Sequence, residues 1–171
     1  MNKKVLLVIG SEKFQEQEYQ HTKQELEAAG IQIITVSDKP GTAVGYFGLQ
    51  VKVDLVLDQV QTKDCDGLCI IGGAGAMLFL DNALMYKILN ELFALQKVVG
   101  AICIAPRILA HAEILRGKKA TCWDGDGRAF DIFKEHGVLF VPEAVVIDDH
   151  VITADGPEAA HAFGKAIVSV I

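Results

Sequence analysis

Several features are scarce in this chain, and each scarcity narrows what it can be. No run approaches the roughly 18 uninterrupted apolar residues that a membrane span requires, although 51% of the residues are hydrophobic and the mean hydropathy is +0.31. A membrane-spanning protein is not expected. The stretch after Met1-Asn2-Lys3-Lys4 holds only five apolar residues before Gly10-Ser11, too few for the core of a secretory signal, so a cytoplasmic location is expected. There is no Lys/Arg cluster and the net charge is -6, which leaves little to attract nucleic-acid phosphates. Small molecules or proteins are the expected partners. No internal repeat, linker or low-complexity tract divides the 171 residues, a length that suits one domain spanning 1–171. Cysteine is sparse as well, with four residues at 65, 69, 103 and 122. If Cys65 and Cys69 share a strand they lie roughly 13 Å apart, too far for a disulfide or a common metal, and they read as core thiols. No metal site is expected.

What the chain does have is a regular alternation of strand-like and helix-like segments. Val5-Leu6-Leu7-Val8-Ile9 reads as a buried strand, 14–29 as a helix closed by Gly30, and 31–36 as a second strand. A strand, helix, strand order with short connections implies parallel pairing in a layered α/β core. Pro40, Gly41, Gly45 and Gly48 break the rhythm, and the alternation of Val51, Val53, Leu55 and Leu57 predicts an antiparallel edge excursion within 38–60. The pattern then resumes with a strand at 67–71, a Gly72-Gly73 loop, a helix over 76–96 and a strand at 98–102. Beyond it the reading is a helix from Pro106 to about 115, an extended 119–123, a helix at 127–135, strands at 138–141 and 144–153, and a last helix at 157–170.

Two places carry chemistry. In Gly100-Ala101-Ile102-Cys103-Ile104-Ala105-Pro106 a strand ends in cysteine and turns at once into a helix, the layout of a nucleophile elbow. Pro106 suits a first helical position. Main-chain N–H groups at that helix start favour the thiolate and lower the thiol pKa. An inert buried cysteine at a strand end is the competing reading. Gly72-Gly73 follows another central strand, and neighbouring parallel strands deliver their loops to one sheet edge, so an N–H of this pair can face an oxyanion beside Cys103. A simple tight turn is the alternative. A dinucleotide loop is disfavoured, because Gly73-Ala74-Gly75-Ala76-Met77-Leu78 lacks the third glycine.

These residues resemble a family. Ala101-Ile102-Cys103-Ile104-Ala105-Pro106, Ile71-Gly72-Gly73, Val151-Ile152-Thr153-Ala154-Asp155-Gly156-Pro157 and Ala162-Phe163-Gly164-Lys165-Ala166-Ile167-Val168 look like the ThiJ/PfpI superfamily, with its intracellular-protease and deglycase branches. The resemblance implies a flavodoxin-like three-layer α/β/α sandwich with a mostly parallel central sheet, the class I glutamine amidotransferase-like fold. It implies a homodimer or higher oligomer. It also implies that the elbow cysteine pairs with a glutamate of the first helix, which in Phe14-Gln15-Glu16-Gln17-Glu18 matches Glu18. Without the family, Glu18 would read as an exposed helix residue, with Glu16 equally eligible. Such a pair works when one proton is shared, since two anions in a dry pocket repel. By the same carry-over, the N–H groups of Gly73 and Ile104 form the oxyanion hole.

One departure matters. Ile104 stands where the protease branch has histidine, so the adjacent base is missing and peptidase chemistry is disfavoured. The deglycase branch also lacks that histidine. The resemblance therefore implies a cofactor-independent, glyoxalase-like or deglycase-like attack by Cys103 on a small reactive carbonyl or a modified protein side chain. The alternatives are a redox or stress-response protein whose Cys103 is oxidised to sulfinate, and a non-catalytic, chaperone-like module. His136 is the candidate for a histidine reaching the cysteine from elsewhere, whereas His21, His111, His150 and His161 read as surface or satisfied residues. Gly72, Trp123 and Asp124, with Asp126, are candidate pocket residues.

Overall fold

A computed structural model describes residues 3–171. In chain order its strands and helices are β1 (Lys4–Val8), β2 (Glu12–Phe14), α1 (Glu16–Ala28), β3 (Gln32–Ser37), β4 (Thr42–Gly45), β5 (Gln50–Lys52), β6 (Leu55–Val56) and β7 (Gly67–Ile70). They continue as α2 (Ala83–Ala94), β8 (Val98–Ile102), α3 (Pro106–His111), β9 (Lys119–Ala120), α4 (Ala129–Glu135), β10 (Leu139–Phe140), β11 (Val145–Asp148), β12 (Val151–Ala154) and α5 (Ala160–Val170). Seven strands form one sheet in the order β11-β12-β8-β7-β1-β3-β6, parallel throughout except for β11 against β12.

Alternation along β1 shows how the layers arise. Successive side chains of a strand point to opposite faces. Leu6 and Val8 join a buried cluster with Met85 and Leu89 of α2, Ile108 of α3 and Phe133 of α4. Val5, Leu7 and Ile9 join another with Tyr19 and Leu26 of α1 and Phe163 and Ile167 of α5. A sheet apolar on both faces must be covered on both, and the result is the expected α/β/α sandwich. Phe163 is fully buried, and truncating such a phenylalanine to alanine costs about 3–5 kcal/mol.

Several element boundaries differ from the sequence reading, each for a local reason. The helix expected over 76–96 is split: a wide π-type turn at Ala76–Leu80 ends before Asn82, whose side chain accepts from the N–H groups of Leu84 and Met85 at 3.1 Å and starts α2 afresh. Phe14 is in β2 rather than the first helix, and Gln15 caps α1 by accepting from Gln17 N–H at 2.7 Å. α3 stops at His111, just before Glu113 at φ 65°. The stretch 144–153 is two antiparallel strands folded at Asp149, φ 61°, which makes β11 the antiparallel edge of the main sheet. The antiparallel excursion is present as the β4–β5 hairpin, but it joins β2 in a separate three-stranded sheet.

The four cysteines are free, with Cys65, Cys69 and Cys122 buried and Cys103 half-buried. No described helix is long and apolar enough to cross a membrane, and among the described residues no group of three or more His, Cys, Asp or Glu is placed to hold a metal ion.

Candidate active site

From β1 the chain extends to β3 and β6 on one side, and through β7 to β8 and β12 on the other. Such a reversal opens a crevice at the carboxyl ends of the strands. Three segments leave the sheet there. The one after β1 leads through β2 into α1 and carries Glu18, the one after β7 carries Gly72 and Gly73, and the one after β8 carries Cys103. β7 and β8 pair in register, Ile70 against Ala101, so their loops emerge side by side.

Cys103 has φ 63°, a left-handed conformation that costs a non-glycine residue about 1–2 kcal/mol. Hydrogen bonds hold both ends of the strained residue: its N–H donates to the Ala154 carbonyl at 2.9 Å, and its carbonyl accepts from Trp123 N–H at 2.8 Å. The Cys122 thiol donates to the same carbonyl at 3.4 Å. The main-chain N–H groups of Gly73 and Ile104 lie beside the Cys103 sulfur and act to lower its pKa.

Glu18 is fully buried. Its Oε2 accepts from Gly72 N–H at 2.8 Å. Its Oε1 is buried without a fully formed hydrogen bond, and the carboxyl group lies against the Cys103 thiol closely enough to couple their protonation. Gly72 is the spacer. A Cβ there would come 2.6 Å from Cys103 Cβ and 2.8 Å from Glu18 Oε2, so any side chain would push the pair apart. Gly73 adopts φ 93° with Gln15 N only 2.7 Å from where its Cβ would be, so both conformation and space require glycine.

The electrostatics follow from burial. Loss of solvent raises the Glu18 carboxyl to about 7, against the opposing pull of the Gly72 N–H and of the Cys103 thiol. The Cys103 thiol is also pushed up, first by burial and then by the Glu18 charge, with the Gly73 and Ile104 N–H groups pulling the other way. This corrects the expectation of a thiol acidified by the helix start: α3 has only six residues and begins at Pro106, after a three-residue turn. The two groups form a coupled pair in which the second proton is hard to remove. The Gly73 and Ile104 N–H groups act against the rise of the thiol, on the side of charge on sulfur.

Glu16 and Glu18 are now distinguished. Glu16 Oε1 accepts from the N–H groups of Phe47 at 2.7 Å and Leu49 at 3.0 Å, so this carboxylate organises the β4–β5 turn and not the thiol. Asp124 caps α4, its Oδ1 accepting from Ala129 N–H at 2.8 Å. His136 lies at the end of α4 with Nδ1 2.7 Å from Glu113 and its ring 5.2 Å from that of His111. That cluster sits at the far end of α3 from Cys103, and no hydrogen bond joins His136 to the sulfur. His111 contacts Asp81 and His161 contacts Glu25; His150, expected as a surface or satisfied residue, is instead buried, with Nδ1 beside Asp149 and Nε2 without a partner. Trp123 touches the elbow through its backbone. Sequence reasoning missed Arg107, a helix residue that is 3% exposed, with its guanidinium in a two-bond contact to Asp126 at 2.7 and 2.9 Å. An arginine in an amphipathic helix reads as solvent-facing, and only Asp126 nearby in sequence hinted at a counter-charge.

The chain is 34% identical over 171 residues to an uncharacterized protein of Methanocaldococcus jannaschii, covering 99% of this chain and 83% of that one. It is 30% identical over 168 residues to a deglycase of Pyrococcus horikoshii, covering 98% and 99% of the two chains. The crystal structure of a ThiJ/PfpI domain protein from Brachyspira murdochii superposes with a TM-score of 0.93 at 27% identity, covering 99% of this chain and 97% of that one. The DJ-1/PfpI family model matches residues 3–170. With the elbow, the glycine loop and the helix carboxylate in one crevice, the chain belongs to the DJ-1/PfpI family.

Proposed function

We propose that this protein carries out cysteine-dependent chemistry on small reactive carbonyls, of the glyoxalase or protein-deglycase kind. The observation that carries the reading is the buried Glu18 carboxyl against the Cys103 thiol, with two main-chain N–H groups on the sulfur. The similarity over nearly full length to a protein named a deglycase supports it.

In this reading the Cys103 sulfur donates its electron pair to the aldehyde carbon of a 2-oxoaldehyde, forming a C–S bond, and the carbonyl π pair moves to oxygen. The N–H groups of Gly73 and Ile104 stabilise the charge as it leaves sulfur for oxygen. Glu18 delivers its proton to that oxygen and then, as carboxylate, takes the hydrogen from the former aldehyde carbon as a proton. Return of a proton to the adjacent carbon leaves a thioester. Water cleaves it, breaking the C–S bond, and the thiol recovers its proton. The sum is 2-oxoaldehyde plus water to 2-hydroxy acid, with no net oxidation; when the aldehyde starts as an adduct of a protein amine or thiol, that group is the additional product. A cytoplasmic homodimer or larger homo-oligomer acting on free carbonyls or modified side chains is the setting we propose. Incubation with methylglyoxal tests it: lactate should form with wild type and not with Cys103→Ser, and equal inactivity of the two would sink the proposal.

A redox role is the second reading. Cys103 is the half-buried cysteine among three buried ones, and a protonated Glu18 is placed to donate to an oxidised sulfur.

A further inference from the structure

The peptide joining Cys103 to Ile104 has two ends with different tasks. Its N–H, that of Ile104, has no main-chain acceptor and lies beside the Cys103 sulfur, whose pKa it acts to lower. Its C=O, that of Cys103, accepts from Trp123 N–H at 2.8 Å and from the Cys122 thiol at 3.4 Å. In a planar trans peptide these two groups point in opposite directions, so whatever fixes the carbonyl also aims the N–H. The aim of the Ile104 donor therefore depends on where Trp123 stands.

Trp123 is held in turn from α3. The Arg107 guanidinium donates to the Trp123 carbonyl at 3.2 Å and lies 5.7 Å from the centre of its ring. It also makes the paired contacts to Asp126, whose carboxyl it holds down at about 2. Asp126 Oδ1 accepts from Arg128 N–H at 3.1 Å as well, which closes the turn after Trp123. A planar guanidinium can grip a carboxylate with one edge while donating elsewhere, which a lysine ammonium cannot do in the same geometry. Among the described residues Arg107 is the buried Lys or Arg, and it is clamped to the Trp123–Asp126 segment.

We infer that Arg107 is a positioning residue for the nucleophile: by clamping Trp123 it fixes the Cys103–Ile104 peptide and so keeps the Ile104 N–H on the Cys103 sulfur. The inference rests on the proposed function only in taking Cys103 to be the reacting group. Losing the clamp should weaken one donor to the thiolate without touching Glu18, Gly72 or Gly73.

The test measures the rate of Cys103 alkylation by iodoacetamide from pH 5 to 9, mapped by peptide mass, in wild type, Arg107→Lys and Asp126→Asn. Loss of one thiolate donor should move the midpoint of the reactivity profile up by about one pH unit, which is about tenfold in rate on its lower limb. Trp123 is the only tryptophan in the sequence, so its emission should shift in the same variants and report the displaced segment directly. The double variant Arg107→Met with Asp126→Leu removes the ion pair and restores apolar filling. A stable double variant whose profile remains shifted supports positioning; a profile that recovers along with stability assigns Arg107 a structural task alone and overturns the inference. Folded single variants with the wild-type profile also overturn it, while leaving a reactive wild-type Cys103 intact. A wild-type Cys103 no faster than an ordinary thiol overturns the nucleophile reading and the inference together.

Discussion

Gly72 donates its N–H to Glu18 Oε2 at 2.8 Å while its own Cα face lies against the Cys103 side chain. One small residue therefore sets the distance between the acid and the thiol. The proton-sharing described above depends on that distance.

Gly72→Ala is the direct check. The added methyl would meet Cys103 Cβ at 2.6 Å, Glu18 Oε2 at 2.8 Å and the Ile102 carbonyl at 2.9 Å. Overpacking of this kind costs about 1–3 kcal/mol. Urea unfolding should show that loss, and Cys103 alkylation should slow in the same variant. A variant with wild-type stability and wild-type thiol reactivity would show that the spacing has no consequence.

The elevated Glu18 pKa makes a prediction about stability and pH. A carboxyl whose folded value, about 7, stands above its ordinary value of 4.5 favours the folded state while protonated. That contribution is complete below about pH 4.5 and is lost as pH rises through 7, a swing on the order of 3 kcal/mol. Unfolding free energies measured at pH 4.5 and pH 8 should differ by less in Glu18→Gln than in wild type, by about that amount. Parallel pH dependences in the two proteins would place the titration elsewhere.

Glu16 and Glu18 are two residues apart and should behave differently. Glu16→Ala removes the acceptor for the Phe47 and Leu49 N–H groups, and hydrogen bonds to a charged group are worth about 1.5–3 kcal/mol. Its Cys103 alkylation profile should match wild type. Glu18→Gln should alter that profile. If Glu16→Ala changes thiol reactivity as much as Glu18→Gln does, the division of labour drawn here is wrong.

Mild peroxide followed by intact mass and peptide mapping tests the redox reading. Cys65, Cys69 and Cys122 are 4%, 0% and 3% exposed, and burial slows oxidation. A gain of two oxygens confined to Cys103 is expected, together with a diminished yield of sulfinate in Glu18→Gln. Oxidation spread over all four cysteines would count against a tuned site.

By itself the sequence determined the layering and the place of Cys103 at the turn after a buried strand. Apolar runs a strand long, separated by helical stretches, can bury both faces of a sheet in few ways, and that logic is local enough to read from the order of residues. A cysteine set between a buried strand and Pro106 is equally local, as is the Gly72-Gly73 pair after the preceding strand. Element ends were less legible where a side chain such as Asn82 restarts a helix, or where a residue such as Asp149 folds one expected strand into two. The resemblance pointed to Glu18, yet nothing in the spacing of Glu16 and Glu18 told them apart. Only the tertiary structure decided which carboxylate meets the sulfur, that His136 turns to Glu113 instead, and that Arg107 is clamped inside rather than solvated. Those outcomes depend on which segments, far apart in the chain, come to share one low-dielectric corner, and a charge or a thiol takes its chemistry from that company rather than from its neighbours in sequence.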